Sequence, residues 1–419
     1  MRLLPRLLRA VADPLGLYVR PSPVDHRFLI DFLAETAPLT LKGVVFDSRL
    51  DSLQSDLRAE VQARGIESIV DLRAMELATI GGFGTSQQLP WCLGRPDTTS
   101  DFTSDRLVTF VASVSEWILE RKFSAVLAPT HFLAKGESDP WLQIDLTLTH
   151  RLRDALDAAG AQDTLIYYPL AIRPEDFFHV VERDKLRAAL SSAPIDALWP
   201  RIHRFGANSG AQALRRFIRT CGELHQSGRP IVPESCGIAG LALLGFGAAG
   251  AITTGITTGD QFDFARLKRR REDGGGGFAA PRIYISELQS FLSRKRAGPF
   301  FERRLAQSYY ACKNDSCCKR GVHDMLADPR RHYLKTRLDE IARLSALPES
   351  LRPDGYLDQF LRPATDLMVK AANAEPSLHK ARSRLDSWRT TLSAILAEER
   401  PVTFSSAPNG RRILLRRGA

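Results

Sequence analysis

Five side chains able to bind a soft metal crowd into one short segment of this chain. Cys312, Cys317, Cys318, His323 and His332 all fall within "YYACKNDSCCKRGVHDMLADPRRHYLKTR", residues 309–337. Zinc takes about four thiolate or imidazole ligands in a tetrahedron, so Cys312, Cys317, Cys318 and His332 make a complete set, with His323 competing for the fourth place. The adjacent pair Cys317–Cys318 can both ligate only where the backbone turns sharply. A Cys₃His set leaves no open coordination position, so such a zinc ion is expected to be structural. The competing reading is a metal-free cluster of one buried and two exposed cysteines.

A second group of residues has the types needed for acid–base, nucleophilic or charge-stabilising chemistry. Asp47, Asp71, Arg73, His131, His203 and Glu234 lie where predicted strands end, as do Arg49, Glu76, Arg173 and Arg201. In a closed (β/α)₈ barrel, reacting groups project from the C-terminal strand ends, so these side chains are expected to share one rim. Taken singly, each is as readily a salt-bridge partner or a helix cap. The stretch "GAITTGITTGD" adds Gly255, Thr257 and Gly259, small and hydroxylic residues suited to close backbone approach to an anion. Lys268, Arg269 and Arg270, in "ARLKRRREDGGGGFAA", give an exposed loop that can grip phosphates or merely be solvated.

The elements that must position these groups follow from apolar periodicity. Short β-branched runs at 41–49, 67–77, 124–133, 164–172, 195–205, 229–235, 250–256 and 281–286 alternate with helix-period segments such as "DRLVTFVASVSEWILERK". Eight alternations over about 250 residues predict an α/β fold, a (β/α)₈ TIM barrel. No strand is followed by a G-x-G-x-x-G turn, which argues against an open dinucleotide-binding sheet. The expected organisation is an N-terminal arm (1–40), the barrel (41–300), a zinc-binding segment (301–340) and an α-helical C-terminal region (341–419). In the last region Leu378, Ala381, Leu385, Trp388, Leu392 and Ile395 form a stripe that packs on its own domain or supports a homodimer through the C-terminal helices.

Composition narrows the class. Lys and Arg number 58 against 48 Asp and Glu, a net charge of +10, which favours a polyanionic partner such as tRNA or DNA. Six cysteines are too few for a disulfide scaffold and fit a reducing cytoplasm. No apolar run reaches the roughly 18 residues of a membrane span.

The order of barrel, cysteine cluster, helix-opening His332 ("RHYL", 331–334) and helical tail resembles the tRNA-guanine transglycosylase superfamily across most of the chain. Asp47–Ser48 is similar to the start of that family's "D-S-G-G-F-Q", and "DQFD" (260–263) resembles its "D-M-F-D". Here the cysteines are spaced C-x₄-C-C, where the family has C-x-C-x-x-C. The resemblance implies a transferase that exchanges or cleaves a purine-type base in nucleic acid, with Asp47 as general base, Asp263 as the counterpart of the nucleophile and a structural zinc ion. Two other readings stay open. One is a barrel enzyme acting on a small phosphorylated metabolite, and the other a non-catalytic nucleic-acid-binding subunit.

Overall fold

The computed structural model describes residues 15–35, 40–269 and 281–398, together with the backbone of 404–406 and 412–414. Its centre is a ring of parallel strands. β1 (Gly16–Arg20), β2 (Leu41–Asp47) and β3 (Glu67–Asp71) pair in order. The next position is held by β4 (Ala125–Leu127) and β5 (Phe132–Leu133), two pieces that both pair with β6 (Leu165–Ile172). Pro129 lies between them and has no N–H to give to a ladder. β7 (Ala197–Ile202) follows β6, and β8 (Ala251–Gly255) pairs back onto β1. Segment 230–234 closes the ring through single bridges, Leu198 to Ile231 and Glu234 to Thr253. Pro230 and Pro233 remove two donors from this seventh position, which explains why its ladder is so thin.

The two faces of each strand follow the period-2 pattern. Tyr18, Val45, Ile69, Leu127, Tyr167, Trp199, Val232 and Ala251 point inward and form one apolar cluster that fills the barrel. Trp199 stacks on Tyr167, and Glu67 accepts hydrogen bonds from the hydroxyls of Tyr18 and Tyr167. The lumen is therefore a packed core, as expected of eight strands. Residues of opposite parity, such as Val19, Val44, Val70, Val126 and Ile166, face the helices.

Those helices are α1 (His26–Glu35), α2 (Ser55–Ala63), α3 (Ser104–Glu120), α4 (Trp141–Ala158), α5 (Val180–Ser191), α6 (Ala211–Leu224) and α7 (Ala239–Gly245). α6 shows the sequence logic plainly: Leu214, Phe217, Ile218, Cys221 and Leu224 recur every three or four residues and are all buried. After β8 the chain makes a long excursion through the hairpin β9 (Arg282–Ile285) and β10 (Ser290–Ser293) and through the cysteine segment. It then returns as α8 (Pro329–Ser345), which packs against β1, α1 and α7 and so occupies the eighth outer position.

Seven of the eight expected strands lie in the ring, and the exception is instructive. Segment 281–286 is not a barrel strand; it forms an antiparallel hairpin in the excursion. The missing strand is β1, inside the segment expected to be an arm, so the ring spans Gly16 to Gly255. "GLYVR" is five residues long and directly follows a helix-period run, which hides it. The remainder of the expected arm, residues 1–14, lies outside the described residues. Beyond α8, α9 (Arg362–Ala374) and α10 (His379–Glu398) form the helical C-terminal region. Leu385, Trp388 and Leu392 are buried, α10 packs on α6 and α9, and the Trp388 indole donates to the Ser209 carbonyl at 3.0 Å. The apolar stripe is thus used within the chain and is not free for a partner helix.

Candidate active site and metal centre

The C-terminal ends of β1, β2, β3, β7 and segment 230–234 bring eight charged side chains together. At the centre, the Asp71 carboxylate receives Arg201 at 2.7 Å and Arg20 at 2.9 Å. The same two guanidinium groups clamp Glu234, Arg201 at 2.7 Å and Arg20 at 3.1 Å. Arg73 stands 3.7 Å from both Asp47 and Asp71 and 2.8 Å from Glu76. Asp47 is gripped by Arg49, whose Nε lies 2.9 Å from Oδ1. Of the predicted rim residues Asp47, Asp71, Arg73 and Glu234 therefore meet, and Arg201, Arg49 and Glu76 join them. Arg20 was missed because β1 was missed.

Burial alone would raise all three central carboxyls, but the neighbouring cations outweigh it. Arg201, Arg20 and Arg73 hold Asp71 well below the usual carboxylate range. Arg73 and Arg49 lower Asp47, and Arg20 and Arg201 lower Glu234. These groups are carboxylates throughout the physiological range, poised to stabilise positive charge or to attack. Among the carboxylates of this network only Glu76 keeps an oxygen, Oε2, that is buried without a hydrogen-bond partner. The backbone is strained here as well: Arg73, Arg204, Ser235 and Thr257, each just beyond a strand end, all have φ near +60°.

Part of the mouth is roofed. The loop after β8 crosses to the opposite side, where the Gly81 N–H donates to the Leu267 carbonyl and the Arg204 N–H to the Phe262 carbonyl. A Cβ on Gly81 would stand 2.0 Å from the Arg269 carbonyl, so only glycine permits that approach. Underneath, Phe264 stacks on Phe132 at 3.9 Å, beside Met75 and Ala171. His203 and Asp263, expected on the catalytic rim, belong to this roof. The His203 Nδ1 accepts from the Phe264 N–H, and burial lowers its pKa. Asp263 caps the short turn that follows it, accepting from the Ala265 N–H. Lys268 lies over the Phe264 ring. On the β1–β2 side Arg20 and Arg49 keep about a fifth of their side-chain surface exposed (20% and 21%), while the guanidinium nitrogens of Arg20 are buried.

Gly255, Thr257 and Gly259 form the turn after the eighth strand, the Thr257 carbonyl accepting from Arg282. The Thr257 hydroxyl is buried with no partner. Arg270 lies outside the described residues. His131 is placed away from the rim: it faces the helix layer, its Nδ1 2.6 Å from Asp145 of α4 and its ring stacked on Trp141 at 3.7 Å. Pro129 and the β4–β5 break turn this side chain outward. No strand pattern would have shown that.

In the excursion, Cys312, Cys317, Cys318 and His332 place their ligand atoms within 4.8 Å of one another. The His332 Nδ1 lies 3.5 Å from the Cys317 sulfur and 3.4 Å from that of Cys318, and the two sulfurs are 3.7 Å apart. Tetrahedral bonds of about 2.3 Å to sulfur and about 2.0 Å to nitrogen have edges of roughly 3.8 and 3.5 Å, so the donors fit one ion. Nε2 of His332 meets the Tyr284 carbonyl at 3.0 Å, which fixes the tautomer that turns the Nδ1 lone pair toward the sulfurs. The sharp turn needed for adjacent ligands is present, since the Cys317 and Cys318 N–H groups both donate to the Asn314 carbonyl. His323 is exposed, paired with Asp324 and outside the cluster.

No family model and no curated protein matches the chain. Solved structures with a similar fold include a GH26 β-mannanase from Bacteroides ovatus, 12% identical over 65% of this chain and 89% of that one, with a TM-score of 0.39. Xylanase 10B from Thermotoga maritima is 11% identical over 60% and 85%, with a TM-score of 0.39. Likenesses this distant carry no argument about activity.

Proposed function

We propose that the barrel mouth is a glycosyl-transfer site that exchanges or cleaves a purine-type base at an N-glycosidic bond of tRNA or DNA. The observation that supports this reading most is the set of ionised carboxylates, Asp47, Asp71 and Glu234, gathered at the C-terminal strand ends and held by arginines. Breaking a base–sugar bond builds positive charge at C1′, which an adjacent carboxylate stabilises or captures. In the covalent version a carboxylate oxygen of Asp47 or Asp71 bonds to C1′ as the C1′–N bond breaks. The electron pair leaves on the base nitrogen, and Arg73 donates hydrogen bonds to the departing base. An incoming base or water then displaces the carboxylate. The excess of basic residues suits the polyanionic substrate, and the Cys₃His centre is assigned to structural zinc.

Labelled guanine is the direct test. Incubation with bulk tRNA and with duplex DNA is expected to incorporate or release label in one of them. Asp47→Asn and Asp71→Asn are expected to lower the rate at least ~100-fold, the scale of a lost catalytic group. Full activity in both variants would refute the assignment. One feature favours a second reading, an enzyme of small phosphorylated metabolites: the Thr257 hydroxyl is buried and unpartnered in the turn after β8. Affinity for phosphate esters without binding to nucleic acid at moderate salt would favour that alternative.

A further inference from the structure

The turn that carries Gly81 presents an apolar tip that neither the carboxylate cluster nor the roof uses. Ile80 opens the short helical turn Ile80–Phe83 beyond β3 and keeps 62% of its surface exposed. Among the described residues up to the end of β8, no other large apolar side chain is as exposed. A single exposed isoleucine is ordinary on a protein surface. One held rigidly at the edge of a charged rim calls for a reason.

The rigidity comes from both sides of the mouth. The Thr79 hydroxyl donates to the Glu76 carbonyl at 3.0 Å, and the Phe83 N–H to the Thr79 carbonyl at 2.8 Å. Gly82 lies so close to this backbone that a Cβ there would stand 2.7 Å from the Glu76 carbonyl. Opposite, the Gly81 N–H is tied to the Leu267 carbonyl of the roof, and two residues past the turn the Thr85 hydroxyl accepts from Arg49 at 2.6 Å. The tip is therefore fixed relative to Glu76 and Arg49 of the carboxylate cluster, and β-branching leaves Ile80 itself few rotamers. Arg266, Lys268 and Arg269, in the roof strand that Gly81 touches, are exposed, Arg266 over 83% of its side chain. A stiff apolar tip beside three cations and a carboxylate cluster has the parts needed to enter a stack of bases. The cations hold phosphates, and the apolar group takes the place of a base that has left.

We propose that Ile80 is a wedge that enters a nucleic-acid base stack and fills the place of the purine drawn into the barrel mouth, while Arg266, Lys268 and Arg269 hold the flanking phosphates. The assignment rests on the base exchange or cleavage proposed above and gives Ile80 a positioning role. Extrusion breaks pairing and stacking around the departing base, and an apolar plug keeps the gap from closing behind it. The stacked bases of duplex DNA and of a tRNA stem offer the wedge the same chemistry.

The test uses 2-aminopurine, which brightens when it leaves the stack, scanned through successive positions of a DNA duplex and of an RNA hairpin. Anisotropy of an end label follows binding in the same samples. With saturating full-length protein at low salt, fluorescence is expected to rise at least ~3-fold at one or a few positions in one of the two nucleic acids. Ile80→Leu, which keeps the apolar tip, is expected to retain that rise. Ile80→Ala is expected to bind within about 2-fold of the parent, because the phosphate contacts remain, yet to lose most of the rise. Its thermal midpoint is expected to be unchanged, since the side chain is exposed. A rise undiminished in Ile80→Ala, or no rise with the parent protein bound, would overturn the wedge. Base exchange or cleavage detected alongside either result would leave the proposed reaction standing. Failure to bind either nucleic acid would overturn both.

Discussion

At the residue scale the barrel mouth is a buried, charge-balanced cluster whose members depend on one another. Removing one partner strands the others, which costs about 3–5 kcal/mol for a buried pair. Arg201→Met is therefore expected to lower unfolding free energy by that amount in denaturant titrations, because it uncovers both Asp71 and Glu234. Acid should act through the same groups. The folded-state pKa values of Asp47, Asp71 and Glu234 lie below their unfolded values, so their contribution is complete above about pH 5 and drains away as pH falls through the folded values. Unfolding free energy is expected to be level from about pH 7 to 5 and to drop below about pH 4, with a shallower acid limb in Arg201→Met. A steeper limb in that variant would contradict the assignment. Residue types at strand ends were enough to nominate Asp47, Asp71, Arg73 and Glu234. They could not show that His131 turns to Asp145 or that His203 and Asp263 serve the roof, because side-chain direction at an irregular strand end is set by tertiary neighbours.

At the element scale the informative unit is the eighth βα step, interrupted by the roof loop, a hairpin and the cysteine segment before α8 completes the ring. His332 sits in the first turn of α8 and touches the hairpin through the Tyr284 carbonyl, while Tyr333 meets the Thr254 hydroxyl of β8 at 2.9 Å. The Cys₃His cluster and the residue after it thus tie hairpin, helix and barrel strand at one point. Cys317→Ser and His332→Ala are each expected to abolish stoichiometric zinc in elemental analysis and to increase hydrogen exchange across Arg282–Ser293, leaving β2 and β3 protected. A metal-free parent protein would remove the zinc assignment. Gly81→Ala is expected to dislodge the roof, read as faster exchange or proteolysis at residues 260–269, because its Cβ meets the Arg269 carbonyl. Seven strands were legible because parallel barrel strands read as short apolar runs. "RIYI" has the same pattern in a hairpin, and β1 was obscured by the helix-period residues before it, so local pattern could not decide either.

On the scale of the whole molecule, a barrel with a packed lumen gathers its charged groups at one rim, partly roofed by the loop after β8 and with Arg20 and Arg49 partly exposed beside it. The positive balance of the chain, +10, lies outside the neutral core of the cluster, where Arg20, Arg49, Arg73 and Arg201 face Asp47, Asp71, Glu76 and Glu234. On the proposed function, binding to tRNA or DNA is expected to weaken steeply with salt, and base exchange or cleavage to depend on the carboxylates. The most direct test of base exchange or cleavage at this mouth is mass spectrometry of nucleosides from tRNA and duplex DNA digested after incubation with the protein and free guanine-type bases. One purine nucleoside is expected to be replaced or lost in one of the two substrates, and Asp47→Asn, folded and zinc-loaded, to leave the composition untouched. Unchanged nucleosides in both substrates, with the protein bound to either, would contradict that reaction.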